Sequence, residues 1–274
     1  MRPKVVLVTA ITLIMFVSPA WGVTTDYYTI QKPLVEYGHV SQLDPGIING
    51  NAACGPTATI NSFIYLQNHY GLTGLVPGDP IDAVNELGRD MGLTAGGVTD
   101  DNFVTGKRTY LDLYAPGQIY MHGVDDQGAG GLTMGIPSWQ FIYEELSACE
   151  DVEVGFSWVG ESSGHWITAT SFHFTDNDGD QTIDASETAT LDFIDPWGGV
   201  ETPAVELLGT LTMGNDGFLN LTYAGGAAGG GATGRIDIVV SESPVPEPLT
   251  MVSAFLAVSG LGAYLRKRVR PSRA

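Results

Sequence analysis

A cysteine beside a helix-start signal is the first feature of this sequence that could support chemistry. Cys54 is followed directly by Gly55 and Pro56. Because proline suits the first turn of a helix, we expect Cys54 to lie at a helix N-terminus. The free backbone N–H groups and the helix dipole at that end favour a thiolate, which is the nucleophilic form of cysteine, and the same N–H groups could bind an oxyanion.

A histidine and an aspartate later in the chain could complete a nucleophilic site. His165 begins a predicted strand just after a turn at residues 161–164, and Asp195 ends a later strand in front of a Gly-rich turn. If the two strands pair antiparallel, the start of the first lies beside the end of the second. We therefore predict that His165 and Asp195 come within hydrogen-bonding range, so that His165 can act as a base for Cys54.

These three segments together resemble the papain-like cysteine peptidases, in particular their C39-like branch. The motifs that carry the resemblance are Cys54-Gly55-Pro56-Thr57, Gly164-His165-Trp166 and Asp195-Pro196-Trp197-Gly198-Gly199. The resemblance implies a papain-like α+β fold, with N-terminal helices packed on a C-terminal antiparallel β-sheet. It also implies Cys54 as nucleophile, His165 as general base and later acid, and Asp195 as the residue that orients the imidazole.

The reaction implied by this resemblance is hydrolysis of a peptide or isopeptide bond in a peptide or protein substrate. Transfer of the acyl group to an amine would use the same three residues. The alternative is a non-catalytic surface or matrix-binding protein on the same fold. Cys54 could also be structural, because the chain has only two cysteines and an exported protein could pair Cys54 with Cys149. The other histidines, expected to be structural or exposed, are His39, His69, His122 and His173.

The residue that would help to bind the oxyanion departs from the family pattern. Relatives usually carry a glutamine about six residues before the cysteine, where Ile48 stands here. Gln42 has the right side chain but lies twelve residues upstream, so the intervening loop would have to bulge. We take Gln42 as the predicted donor, with Asn49 and Asn51 as nearer substitutes.

An acidic loop at residues 176–187 predicts a calcium site. Its spacing matches an EF-hand-type loop, in which carboxylate oxygens and one backbone carbonyl surround the ion. The predicted ligands are Asp176, Asp178, Asp180, Thr182, Asp184 and Glu187. Gln181 stands where such loops normally have glycine, and an acidic, solvated hairpin tip is the alternative. Because the loop joins the His165 strand to the Asp195 strand, a bound Ca²⁺ would stabilise the hairpin that carries both residues.

The elements that must position these side chains follow a helix-then-strand order. Helices are predicted at residues 55–69, 79–91 and 139–148, from apolar periodicity and capping signals. Strands rich in β-branched and aromatic residues are predicted at 152–159, 165–174, 189–195, 202–213, 217–223 and 235–241. This order favours one α+β domain over residues 23–244.

Both ends of the chain carry export signals. Residues 1–22 have a charged start, a short apolar run and a small-residue exit, which is typical of a signal peptide; an uncleaved signal anchor is the alternative. Residues 245–274 contain Pro-Glu-Pro, an uncharged stretch at 249–265 and a basic terminus. They resemble the PEP-CTERM sorting signal of Gram-negative bacteria, although an ordinary tail anchor is the alternative. The resemblance implies transient inner-membrane anchoring, processing by an exosortase-type enzyme, and delivery to the cell surface or extracellular matrix.

The charge of the chain excludes one class of partner. The sequence has 12 basic and 31 acidic residues. Residues 23–248 keep five basic residues against all 31 acidic ones, and so a formal net charge of about −26. Such a surface repels nucleic acids and anionic lipids and attracts cations. We therefore expect no nucleic-acid binding.

Overall fold

The computed structural model describes residues 25–198, 205–224 and 232–245. Its α-helices are α1 (Cys54–Tyr70), α2 (Pro80–Asp90), α3 (Asp100–Tyr114) and α4 (Trp139–Ser147). Its strands are β1 (Asp26–Gln31), β2 (Ile119–Asp125), β3 (Thr133–Met134), β4 (Asp151–Trp158), β5 (Gly164–Asp176), β6 (Thr188–Asp195), β7 (Val205–Met213), β8 (Leu219–Tyr223) and β9 (Ala232–Pro244). Short 3₁₀ turns occupy Leu34–Glu36, Gly50–Ala52 and Ala129–Gly131.

The two predicted export signals lie outside the described residues, apart from Val245. Within the described ranges, no helix combines the length and the apolar character that crossing a membrane requires. The predicted span at residues 249–265 therefore stays a prediction.

Six of the strands form a closed antiparallel barrel. The strands from β5 to β9 pair in chain order, and β4 pairs with both β5 and β9, which closes the ring. Strands β5 and β9 are 13 residues long, so they extend beyond the barrel. The extension of β5 pairs with β1 and that of β9 pairs with β2, while β3 runs parallel to β2.

The predicted fold class is therefore wrong. A papain-like α+β fold with N-terminal helices packed on a C-terminal antiparallel sheet does not describe this molecule, because its sheet closes into a six-stranded barrel. Alternation of side chains predicts single strands, but closure depends on the register between β4 and β9, which includes an irregularity at Gly155. A Cβ at Gly155 would overlap Ile238, and one at Gly234 would overlap Phe156.

The individual elements were predicted better than their assembly. The helices expected at 55–69, 79–91 and 139–148 correspond to α1, α2 and α4, and the six expected strands correspond to β4–β9. Helix α3 and strands β1–β3 were not predicted. The buried face of α3 includes Gly106 and Lys107, which interrupt the apolar pattern that would have identified it.

Two hydrophobic clusters lie on opposite sides of the barrel wall. Residues of α1, α2 and α3, such as Phe63 and Leu87, form the first cluster with Trp166 of β5. The next residue of β5, Ile167, belongs to the second cluster, which joins α4 to other strand residues such as Phe193. Because successive strand residues face opposite sides, β5 contributes to both cores.

A buried ion cluster ties α3 to the barrel. The ammonium of Lys107 lies 2.5 Å from Glu153 Oε2 on β4 and 2.6 Å from Glu242 Oε2 on β9. Asp151 accepts hydrogen bonds from the Ser62 hydroxyl and from the backbone N–H of Glu242. All four charged groups are fully buried. We call Lys107, Asp151, Glu153 and Glu242 the Lys107 cluster.

Candidate active site

Cys54 is the first residue of α1, as its sequence context predicts. The 3₁₀ turn Gly50–Ala52 leads directly into the helix, and its cap residue, Ala53, makes no side-chain hydrogen bond to it. The first backbone N–H groups of an α-helix have no partner within the helix. Those next to the Cys54 thiol are therefore placed to interact with negative charge.

The predicted proximity of His165 and Asp195 is confirmed. Strands β5 and β6 pair antiparallel, with Thr168 opposite Ile194, so the start of β5 meets the end of β6. The ring Nε2 of His165 lies 2.8 Å from Oδ1 of Asp195, and both residues are buried. The same oxygen accepts the backbone N–H of Trp197 at 2.8 Å. Two donors therefore hold the Asp195 carboxylate in place.

The surroundings of His165 favour its protonated form. Burial by itself lowers the pKa of the imidazole, but hydrogen bonds to Asp195 and to Cys54, together with the charges of both groups, outweigh it. The net effect raises the pKa of His165 to about 10. The ring therefore carries a positive charge at neutral pH and presents it to the thiol of Cys54.

Cys54 and His165 share a cavity of about 330 Å³. Its walls come from the loop before α3, from β4, from the turn before β5 and from β9. The residues that line it besides Cys54 and His165 are Gly96, Gly97, Val98, Thr99, Asp100, Gly155, Phe156, Ser157, Ser162, Ser163, Gly164, Trp166, Asp237 and Ile238. A substrate segment in this cavity would lie against both reactive side chains.

Gln42 is buried close to the start of α1, but its side chain is committed elsewhere. Its Nε2 donates to the carbonyl of Gly50 at 2.8 Å, and its backbone N–H donates to the carbonyl of Pro196 at 2.7 Å. Gln42 is not among the residues that line the cavity. The nearer substitutes Asn49 and Asn51 are exposed. The role of Gln42 as an oxyanion donor stays a prediction.

The alternative of a Cys54–Cys149 disulfide is wrong. Both thiols are free and half-buried. The carbonyl of Cys149 accepts the hydroxyl of Tyr65 at 2.9 Å. Tyr65 lies eleven residues beyond Cys54, which is about 16 Å along the axis of α1. Cys149 therefore contacts a side chain from the far half of α1, whereas Cys54 begins the helix.

Tyr223 is a site residue that sequence reasoning missed. Burial first, and then the negative charge of Asp195, raise the pKa of this tyrosine, which lies on β8. Its hydroxyl and Oδ2 of Asp195 are both buried without a well-formed hydrogen bond to any described residue. The alternation of buried and partly exposed residues along β8 predicts that the side chain of Tyr223 points inward. Only the pairing of β6, β7 and β8 places this side chain near Asp195.

The acidic loop brings three of its five predicted carboxylates together. Ligand oxygens of Asp176, Asp178 and Asp180 lie within 4.8 Å of one another. Asp176 accepts backbone N–H groups from Gly179 at 2.6 Å and from Gln181 at 2.9 Å. Burial opposes ionisation of Asp176, but these backbone hydrogen bonds outweigh it and lower its pKa.

The remaining predicted ligands make other contacts. Glu187 accepts the backbone N–H groups of Asn177 at 2.7 Å and of Asp184 at 3.1 Å, while Asp184 itself accepts the N–H of Ser186. The backbone N–H of Thr182 donates to Asp180 at 2.7 Å. The loop therefore has an oxygen-rich first half that fits a hard cation such as Ca²⁺, and a second half closed by its own hydrogen bonds.

The other histidines lie outside the cavity that Cys54 and His165 share. Nε2 of His122 lies 2.9 Å from Glu145 and 3.9 Å from Glu150. His69 pairs with Glu36 at 2.8 Å, as an exposed contact. These positions agree with the expectation that these histidines are structural or exposed.

Comparison with known proteins adds no assignment to this geometry. No protein-family model matches the chain, and no curated protein matches its sequence. What remains is the site itself: a thiol at a helix N-terminus, an imidazolium in contact with it, and a buried carboxylate behind the ring. This arrangement can perform nucleophilic acyl chemistry.

Proposed function

We propose that this protein is an exported cysteine peptidase that hydrolyses peptide or isopeptide bonds. The observation that carries the proposal is the position of His165, which contacts Cys54 and lies 2.8 Å from Asp195. A thiol nucleophile and its base come from two separate elements and line one cavity, and an orienting carboxylate from a third element lies behind the base. A purely structural histidine would not need to contact a free thiol at a helix end.

The acylation step uses the ion pair of Cys54 and His165. The thiolate of Cys54 attacks the carbonyl carbon of the scissile bond, and backbone N–H groups at the start of α1 stabilise the resulting oxyanion. When the C–N bond breaks, His165 gives its proton to the leaving amine. The products are a free amine, a thioester on Cys54 and a neutral imidazole.

Deacylation reverses the roles of the same groups. His165 takes a proton from water as the water oxygen attacks the thioester, and the C–S bond then breaks. Cys54 returns as a thiolate and His165 as an imidazolium, while Asp195 keeps the ring oriented throughout. An amine in place of water would give acyl transfer with the same residues.

We also propose a structural role for the acidic loop. Asp176, Asp178 and Asp180 would hold a Ca²⁺ ion, which would neutralise carboxylates that face no basic side chain among the described residues. The loop connects β5 to β6, the strands that carry His165 and Asp195. A cation here would therefore stabilise the hairpin rather than take part in the reaction. Ligation by Thr182, Asp184 or Glu187 would require rearrangement of the second half of the loop.

The location of the protein is part of the proposal. The signal-like residues 1–22 and the Pro-Glu-Pro tail at 245–274 support export, transient membrane anchoring and processing by an exosortase-type enzyme. The substrate would then be a peptide or protein outside the inner membrane.

One observation favours a second candidate function. Because the amide of Gln42 donates to Gly50 and does not line the cavity, the oxyanion would depend on backbone N–H groups alone. Loss of one oxyanion donor typically costs about two to three orders of magnitude in rate. A non-catalytic surface-binding protein with the same site residues is therefore the competing proposal.

Thiol alkylation tests the proposal, because the chain contains its own control. Cys54 and Cys149 are both free and half-buried, and the thiol of Cys54 interacts with His165. The purified full-length chain is treated with iodoacetamide between pH 5 and 9, and each cysteine is quantified by peptide mass. We expect Cys54 to react faster than Cys149 at pH 6, and the excess to disappear in His165→Ala.

A second measurement separates the two candidate functions. If activated Cys54 also cleaves members of a peptide library, and Cys54→Ala abolishes the cleavage, the protein is a peptidase. Activated labelling without cleavage would favour the binding protein. Labelling of Cys54 no faster than that of Cys149 would overturn the catalytic proposal altogether.

A further inference from the structure

The cavity that contains Cys54 and His165 also has an acidic wall. Asp100 and Asp237 both line it. Asp100 is the first residue of α3 and follows the cap residue Thr99, whose side chain accepts the backbone N–H of Asn102. The Asp100 carboxylate is therefore fixed to a rigid helix end at the edge of the proposed substrate site.

The two carboxylates differ in their partners. Asp237 is already paired, since its Oδ1 lies 2.6 Å from the Arg235 guanidinium and its Oδ2 accepts the backbone N–H of Ser157 at 3.0 Å. Among the described residues, no basic group forms an ion pair with the side chain of Asp100 and no donor forms a hydrogen bond with it. Asp100 is thus a cavity carboxylate without a cation of its own.

Other acidic groups surround Asp100. Burial first, and then the charges of Asp125, Asp237, Asp126 and Asp101, raise the pKa of Asp100 to about 6. At neutral pH Asp100 is therefore mostly ionised, although burial and the repulsion from its acidic neighbours both disfavour the negative charge. A cation that entered the cavity would relieve both effects.

We propose that Asp100 is a specificity-determining residue of this site, and that it selects substrates with a basic side chain next to the scissile bond. The inference rests on the proposed peptidase function. The substrate ammonium or guanidinium would form an ion pair with Asp100, which lines the cavity that also contains Cys54 and His165.

The remaining walls suit a long basic side chain. Gly96 and Gly97 present no side chains, and Ser162 and Ser163 present small ones, so they leave space in the cavity. Trp166 and Val98 offer apolar surface against which the methylene stem of a lysine or arginine could pack. The strong negative charge of the whole chain would attract such substrates.

The charge preference of Cys54 labelling tests this proposal without a known substrate. The full-length chain is treated with two methanethiosulfonates of similar size, one carrying a trimethylammonium group and one a sulfonate, and with the neutral methyl reagent. In each case the thiolate displaces methanesulfinate and forms a mixed disulfide. We expect the ratio of cationic to anionic labelling rates at Cys54 to fall about 3- to 10-fold in Asp100→Asn.

Two further variants make this result specific. Asp100→Glu keeps the charge and should retain most of the preference. Asp112→Asn removes the same charge from the exposed face of the same helix, and should change the ratio less than about twofold. A ratio in Asp100→Asn that matches Asp112→Asn would overturn the proposal.

The neutral reagent separates a failure of the proposed peptidase function from a failure of the proposed role of Asp100. Slow neutral labelling of Cys54 would refute the peptidase function, whereas the cation preference would still report on Asp100. For an active enzyme, Asp100→Asn should lower kcat/KM about 10- to 100-fold for a lysine peptide, but not for its norleucine analogue. Equal losses for both peptides would mean that Asp100 only supports the fold.

Discussion

Two regions of this protein each gather three carboxylates, but they balance the charge in different ways. In the Lys107 cluster, Asp151, Glu153 and Glu242 are fully buried beside an ammonium of the chain itself. In the acidic loop, the carboxylates of residues 176, 178 and 180 meet backbone N–H groups, and no basic side chain pairs with them within the described residues.

The difference shows where the protein depends on its surroundings. The cation of the Lys107 cluster arrives with folding, because it belongs to α3 and bridges β4 and β9. The cation of the acidic loop would have to come from solution. We therefore expect mutation to act most strongly on the first region, and metal ions to act on the second.

The largest expected effect comes from removing the internal cation. Lys107→Met leaves buried carboxylates without a positive partner, so it should lower the free energy of unfolding by about 3–5 kcal/mol. Denaturant unfolding at pH 7.5 would measure this. Arg89→Met, which removes an exposed cation from α2, should cost less than about 0.5 kcal/mol. Equal effects of the two substitutions would show that the cluster does not hold the helices to the barrel.

A second prediction concerns pH. Burial, opposed by Lys107 and reinforced by Asp151, raises the pKa of Glu153 from 4.5 to about 7. Burial likewise raises the pKa of Glu242. Between about pH 4.5 and 7 the folded state therefore binds more protons than the unfolded state, so the cluster loses stability as pH rises through this window, by roughly 1–3 kcal/mol.

The acidic loop should respond in the opposite direction. Because the pKa of Asp176 is lowered from 3.8, its contribution to stability is present above that value and is lost as pH falls.

The pH dependence of the Lys107 cluster can be measured by denaturant unfolding. Unfolding free energies at pH 5, 6, 7 and 8 should decline in the wild type and decline less in Glu153→Gln. Parallel curves for the two proteins would contradict the assignment of this pH dependence to the cluster.

Calcium should have a smaller effect, confined to the loop. For a site with a dissociation constant near 0.1–1 mM, as in extracellular modules, 5 mM Ca²⁺ would stabilise the fold by about 1–2 kcal/mol. Thermal unfolding in EDTA and in Ca²⁺ measures this, with Asp178→Asn expected to lose most of the difference and Asp112→Asn to keep it. Identical melting temperatures with and without Ca²⁺ would reject the proposed site.

The sequence was informative wherever neighbours along the chain decide the structure. Gly55 and Pro56 identified the start of α1, and one antiparallel hairpin was enough to bring His165 to Asp195. The clustered carboxylates in the first half of the acidic loop followed from spacing alone. Its second half did not, because whether Glu187 turns inward depends on competition with the N–H groups of Asn177 and Asp184.

Sequence reasoning failed where distant segments meet. Barrel closure requires the register of β4 against β9, and the cavity position of Asp100 requires α3 to pack beside β9. Tyr223 reaches Asp195 only through the pairing of three strands. None of these relations leaves a local pattern, because each depends on tertiary contacts between segments that lie far apart in the chain.

The smallest predicted effect concerns the turn inside the loop. Gln181 has a φ of 61°, which is a left-handed conformation that favours glycine. Calcium loops of the EF-hand type normally have glycine at this position. Gln181→Gly keeps the backbone N–H that donates to Asp176 and the carbonyl that accepts Trp139. It should raise the free energy of unfolding by about 0.5–1 kcal/mol, with some loss from the greater freedom of the unfolded chain. Gly179→Ala, at a φ of 77°, is the matched change of opposite sign and should destabilise the fold. Calorimetry of both variants with and without Ca²⁺ would show whether the turn limits affinity for the ion. If it does, the difference in melting temperature between the two conditions increases only in Gln181→Gly.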